Sequence, residues 1–136
     1  MKASIIRKET FNSAHRLYLK EWNDEKNLEV FGKCSYPHFH GHNYDLHLKV
    51  IGDIDPKTGF VYDIAALKKI IKEEVTDPFD HRNLNLDTEE FKELIPTVEN
   101  IAKVIYTKIR KRIQPEYEIK VRLYETPRNY CDFPAE

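Results

Sequence analysis

The chain has 136 residues, 40% apolar and 33% charged, a balance that supports one folded core and excludes an intrinsically disordered chain. Its 22 basic and 23 acidic residues leave a net charge of -1, so the basic surplus that binding to nucleic acid or an anionic membrane requires is missing in bulk. No apolar run approaches the roughly 18 residues of a membrane span, and Lys2, Arg7, Lys8 and Glu9 stand where a signal peptide would be apolar. A cytoplasmic protein is expected, with Cys34 and Cys131 as reduced thiols.

In chain order, Ser4 to His15 carries β-branched and aromatic residues and predicts a first strand, whereas Leu17 to His38 has no sustained period and reads as a long loop. Asn43 to Ile51 alternates cleanly, with Tyr44, Leu46, Leu48 and Val50 on one face and Asp45, His47 and Lys49 on the other, and predicts a half-buried second strand. The turn pieces Asp55-Pro56 and Thr58-Gly59 lead into a short strand, Phe60 to Tyr62, in an antiparallel hairpin. Asp63 caps a helix whose buried stripe is Ile64, Leu67, Ile70, Ile71 and Val75, and Asp77-Pro78 is expected to end it. Phe79 to Pro96 is polar and turn-rich. Thr97 then caps a second helix with the stripe Ile101, Ile105, Ile109 and Ile113, stopped by Gln114-Pro115. A last strand, Tyr117 to Glu125, turns Tyr117, Ile119, Val121 and Leu123 inward. The order β-β-α-α-β predicts a single α+β domain over 1–136, with both helices on one face of a mostly antiparallel sheet.

Four of the six histidines crowd between positions 38 and 47. His40 and His42 share the parity of Tyr44, Leu46 and Leu48, so both rings face inward, about 6.6 Å apart along a strand. They can converge on one ion or be hydrogen-bonded core histidines. His15 ends the first strand in phase with Phe11 and Ser13, and three neutral imidazoles without a fourth protein ligand fit a catalytic zinc site with an open position. His47 falls on the polar face and is expected to be solvated. Cys34, in the loop before His40, can be a fourth ligand, a general base or nucleophile with lowered pKa, or a small buried hydrophobe. Asp80-His81 is a carboxylate-imidazole pair capable of relaying protons, or a chance neighbour pair. Glu125 continues the inward parity of its strand. It either meets a ligand with paired N–H donors or lies wet at a frayed strand end.

These pieces, in this order, resemble the family of 6-pyruvoyl-tetrahydropterin synthase and its bacterial relative 6-carboxytetrahydropterin synthase. The resemblance runs from Phe11 to about Thr126. It is carried by Phe11-Asn12-Ser13-Ala14-His15-Arg16-Leu17, Phe31-Gly32-Lys33-Cys34, His40-Gly41-His42-Asn43-Tyr44, Ile54-Asp55-Pro56, Asp80-His81-Arg82-Asn83-Leu84, Thr97-Val98-Glu99-Asn100 and Tyr124-Glu125-Thr126. The resemblance implies that His15, His40 and His42 hold zinc, that Cys34 is the general base, and that Asp80 with His81 completes a proton relay. It makes Glu125 the pterin anchor, helped by Thr97 and Thr126. Animal synthases have a second threonine where Val98 stands, so one pterin contact is altered here. The implied fold is the tunnelling fold, a four-stranded antiparallel sheet with two helices on one face, whose sheets join in a trimeric barrel. Two trimers stack into a homohexamer with active sites between subunits.

The implied reaction is a zinc-dependent lyase step on 7,8-dihydroneopterin triphosphate, eliminating triphosphate to give 6-pyruvoyl-tetrahydropterin. Arg16, Lys20 and Lys33 are candidates for the triphosphate, or simply solvated cations. A second reading makes 6-carboxytetrahydropterin and acetaldehyde, toward queuosine. The spacing favours the first, since five residues separate Cys34 from His40 where the bacterial carboxy enzymes usually have three. A third makes the protein an idle pterin or metal binder, against which the joint presence of Cys34, Asp80 and His81 argues.

Overall fold

The computed structural model describes residues 1–136. The polypeptide runs through β1 (Lys2–His15), α1 (Asp24–Phe31), β2 (His40–Asp53), α2 (Ile64–Ile71), α3 (Asp77–Phe79), β3 (Arg82–Asn83), α4 (Leu84–Asp87), α5 (Val98–Arg110), β4 (Glu118–Thr126) and β5 (Asn129–Phe133). The strands form one sheet in the order β3-β1-β2-β4-β5, antiparallel except for the two-residue β3–β1 pair. β1 and β2 pair along their whole length, which sets His15 opposite His40 and Phe11 opposite Tyr44.

Strand periodicity decides which face is dry. Tyr44, Leu46, Leu48 and Val50 of β2 and Ile119, Val121 and Leu123 of β4 join one core with Leu67, Ile70 and Ile71 of α2 and Ile101, Ile105 and Ile109 of α5. Both helices therefore cover the same face, as the stripes predict. The caps are the expected ones: the Asp63 carboxylate accepts the Ala65 N–H, and the Thr97 hydroxyl accepts the Asn100 N–H. The opposite face carries Lys49, Lys120, Arg122 and Tyr124.

Several local expectations are corrected. Phe60 to Tyr62 is not a strand, because β2 already has β1 on one edge and β4 on the other. The segment instead closes a turn in which the Asp55 N–H donates to the Phe60 carbonyl at 2.9 Å. The Leu17 to His38 loop contains α1, capped by Asn23, followed by a 3₁₀ turn over Gly32–Ser35. The helical run after Asp63 does not end at Asp77-Pro78 but continues to Phe79 through a π-helical turn, Lys72–Thr76. There the Asp77 N–H reaches back five residues to the Lys72 carbonyl, and this wider turn accommodates a ring that would clash in a regular α-helix. The sheet gains two strands beyond those expected, the short β3 beside β1 and the edge strand β5, whose Cys131 and Phe133 pack inward beside the core. His47 lies on the polar face as expected but is only partly solvated: its ring packs on Tyr124, and its Nε2 is buried 3.4 Å from the Asp45 carboxylate.

Candidate metal centre and active site

The inward faces of β1 and β2 change character at one end of the sheet. Phe11 stacks on Tyr44 with ring centroids 5.0 Å apart, and beyond this apolar pair the same two strands present His15, His40 and His42. The three imidazole centroids form a nearly equilateral triangle with sides of 4.6, 5.1 and 5.0 Å. Gly41 lies between two of them, and a Cβ there would stand 3.2 Å from the Ser13 carbonyl oxygen on β1, so any larger residue would press the two strands apart where the triangle is built.

The donor set fits a metal ion. One nitrogen from each ring lies within 4.8 Å of the others, and the His15 and His40 Nε2 atoms are 3.0 Å apart. Nitrogens bound tetrahedrally to one ion at about 2.0–2.1 Å sit roughly 3.3 Å apart. The His42 Nε2 is buried with no hydrogen-bond partner, an atom that desolvation penalises unless something occupies the centre of the triangle. His15 Nδ1 lies 2.8 Å from the Pro96 carbonyl. A carbonyl only accepts, so Nδ1 carries the proton and Nε2 presents its lone pair to the centre. Pro96 and the fully buried Tyr44, whose hydroxyl is 3.3 Å from the same Nδ1, are supporting residues that the motif did not reveal.

Burial keeps these rings neutral. It lowers the His15 pKa from 6.5 to about 4, with the Pro96 hydrogen bond acting in the opposite sense and His40 and His42 adding to the depression. Burial also lowers His40, aided by His42 and opposed by Glu125, and lowers His42. Neutral imidazole is the form that ligates. In metal-free protein the unfolded state binds more protons than the folded one between about pH 6.5 and 4, so stability is full above that window and lost on acidification through it. His15 alone accounts for about 3 kcal/mol of this loss. We expect the urea midpoint of metal-free protein to fall steeply from pH 7 to pH 4, and His15→Gln to flatten that part of the curve. An unchanged slope in the variant would contradict a neutral buried His15.

Glu125 stands inward, as its parity predicts, and is not a frayed end. Its two carboxylate oxygens lie 3.9 Å from His15 Nε2 and 3.9 Å from His42 Nε2, and its side chain is 21% exposed. Burial raises its pKa, as does Glu99, while His40 lowers it. Cys34 is half-buried and stands outside the three-histidine group. Burial and the charge of Glu125 push its thiol pKa up, contrary to the lowered value expected beside a cation. In the absence of a metal charge the thiol is protonated at neutral pH.

Asp80 and His81 are joined at 2.9 Å, and the Asp80 carboxylate also accepts the Asn12 N–H at 2.8 Å, the bond that chiefly lowers its pKa. The His81 N–H donates to the Asn12 carbonyl, which holds His81 at φ 59°, in the left-handed region. The dyad is thus anchored to the outer edge of β1. No hydrogen bond or ion pair links it to the three histidines, Cys34 or Glu125. The hydroxyl oxygen of Thr97 accepts one backbone N–H at the start of α5 and that of Thr126 accepts two in the β4–β5 turn, so each keeps its proton to offer a ligand, and Thr97 one lone pair as well.

A sequence profile of the 6-pyruvoyl tetrahydropterin synthase family matches residues 4–136. The protein belongs to this family. It is 42% identical over 135 residues to the 6-pyruvoyl tetrahydrobiopterin synthase of Pongo abelii, covering 99% of this sequence and 93% of that one. The structure of the Caenorhabditis elegans 6-pyruvoyl tetrahydropterin synthase superposes with a TM-score of 0.91 at 38% identity, over 98% of this protein and 95% of the other. A 6-carboxy-5,6,7,8-tetrahydropterin synthase of Haemophilus influenzae is 30% identical over 122 residues, covering 75% of this sequence and 84% of its own. The α+β architecture is the tunnelling fold of the synthase family, and three histidines of this member are placed to hold a metal ion.

Proposed function

We propose that the protein converts 7,8-dihydroneopterin triphosphate into 6-pyruvoyl-tetrahydropterin and triphosphate, with zinc held by His15, His40 and His42. One observation carries the reading: a half-buried carboxylate, Glu125, stands beside a triangle of neutral imidazoles, 3.9 Å from the Nε2 atoms of two of them. That arrangement suits a ligand with two N–H donors at one end and hydroxyl oxygens at the other, which describes a pterin with its side chain. Zinc, when bound, supplies Lewis acidity to the side-chain hydroxyls and a positive charge that lowers the Cys34 pKa.

The protein's own residues divide the remaining work. Glu125 accepts the paired N–H groups of the pterin and sets its orientation, with the Thr97 and Thr126 hydroxyls as donors at the rim. The Cys34 thiolate removes a proton from a carbon of the substrate's side chain, and the triphosphate leaves with the electron pair of its C–O bond. The His81 imidazole, oriented by Asp80, returns protons as the side chain tautomerises to the diketone and the ring takes up the two electrons that the side chain loses. No external oxidant or reductant is consumed. The dyad has no hydrogen bond or ion pair to the three histidines, which fits the arrangement that the family implies, a homohexamer built as a dimer of trimers in which the dyad serves the site of a neighbouring subunit.

Glu125→Gln tests the anchor. The variant keeps the shape but turns one acceptor into a donor facing a donor, so pterin affinity falls at least tenfold, since charge-assisted bonds contribute roughly 1.5–3 kcal/mol each. Zinc content stays near one per subunit if the carboxylate binds pterin. Loss of zinc with affinity would make Glu125 a metal ligand, and unchanged affinity would remove it from recognition.

A further inference from the structure

Arg16 follows the metal ligand His15 and, by charge alone, is a candidate for the triphosphate. Its contacts describe other work. The Arg16 Nε–H donates to the Ser35 carbonyl at 2.7 Å, and the guanidinium lies over the Tyr18 ring with its central carbon 3.9 Å from the centroid. The side chain is only 15% exposed, and its remaining charged neighbour, Asp24, is at 4.0 Å.

The backbone of Arg16 is also clamped. The Asn85 side-chain oxygen accepts the Arg16 N–H at 2.8 Å, and the Asn85 amide donates to the Arg16 carbonyl at 2.9 Å. The next N–H, that of Leu17, donates to the Cys34 carbonyl at 2.9 Å. Two consecutive carbonyls, those of Cys34 and Ser35, are therefore held by Arg16 and its neighbour, and Ser35 closes the turn by donating its hydroxyl to the Gly32 carbonyl at 2.8 Å. Asn85 lies in α4 just after β3, so it ties the segment after Asp80-His81 to Arg16, which with Leu17 holds the segment bearing Cys34.

We infer that Arg16 is a positioning residue, which fixes the Cys34 loop relative to the metal strand through its planar Nε–H and its stacking on Tyr18 and does not act through its charge on substrate. This rests on the reading of Cys34 as the base. A lysine preserves the charge but has neither the Nε–H on its stem nor the stacking plane.

The test compares zinc-loaded wild type, Arg16→Lys and Tyr18→Leu. Turnover is followed on dihydroneopterin triphosphate, and iodoacetamide labelling of Cys34 is read by peptide mass spectrometry with Cys131 as the internal reference. Arg16→Lys is expected to lower kcat about tenfold with KM within about twofold, and to label Cys34 about tenfold faster, as loss of a charge-assisted bond opens the loop. Tyr18→Leu moves the same readouts in the same direction and carries the test if Arg16→Lys does not fold. A wild-type kcat and labelling rate in Arg16→Lys would overturn the inference, and so would an effect confined to KM, the mark of a triphosphate contact. Labelling reports on the clamp even if Cys34→Ala proves active, so failure of the base assignment and failure of the clamp are distinguishable.

Discussion

Replacing Cys34 by alanine is expected to lower turnover by about 10²- to 10⁴-fold while leaving the metal in place, the loss typical of a positioned general base. The geometry separates this role from ligation. Cys34 stands outside the group of three histidines, and the carbonyls of its loop are held by the Leu17 N–H and the Arg16 Nε–H rather than by the imidazoles. Burial and Glu125 raise the thiol pKa, so the metal-free site leaves the base protonated, and activity and thiol reactivity should appear together when metal is added. Elemental analysis beside steady-state rates checks the result. Zinc lost together with turnover would make Cys34 a ligand, and near-normal turnover would remove it from the chemistry. On the proposed sharing of each site between subunits, mixing Cys34→Ala with His81→Ala protein should restore activity at sites that draw one intact part from each subunit.

His40→Ala removes one of the three imidazoles, and metal affinity should fall by more than about 100-fold, since even outer partners of a metal ligand contribute 10- to 100-fold. The fold should survive. His40 is only partly buried at the mouth of the triangle, whereas the residues beneath it, Phe11, Tyr44, Leu46 and Leu123, belong to the core and are untouched. Full zinc occupancy in this variant, measured after exhaustive dialysis, would reject the three-histidine site.

Much of this site is legible in the sequence because strand geometry has a period of two. Once β2 is recognised from Tyr44, Leu46 and Leu48, the facing of His40 and His42 follows, and the same parity on β4 turns Glu125 inward. Pairing of β1 with β2 can be expected, but not that its register sets His15 opposite His40. Features held by side-chain hydrogen bonds leave no periodic trace. The α1 segment depends on Asn27, whose amide bonds Leu19 and Trp22 in the same loop, and no apolar stripe announces it. The short edge strand β5 escapes notice although Cys131 and Phe133 alternate with Tyr130 and Asp132, because so brief an alternation near the C-terminus resembles a tail. The anchoring of Asp80-His81 away from the three histidines depends on bonds to the backbone of Asn12, and Arg16 reveals its partners only when the loops are folded. His47 shows the limit of the parity argument: an outward residue loses part of its solvent when a neighbouring ring, here Tyr124, covers it.

The most direct test of the account is the fate of 7,8-dihydroneopterin triphosphate incubated with the zinc-loaded protein, followed by chromatography of the pterin and assay of the released fragments. The account predicts 6-pyruvoyl-tetrahydropterin with one triphosphate per turnover and no acetaldehyde. Formation of 6-carboxytetrahydropterin with acetaldehyde, or pterin bound without release of triphosphate, would contradict it.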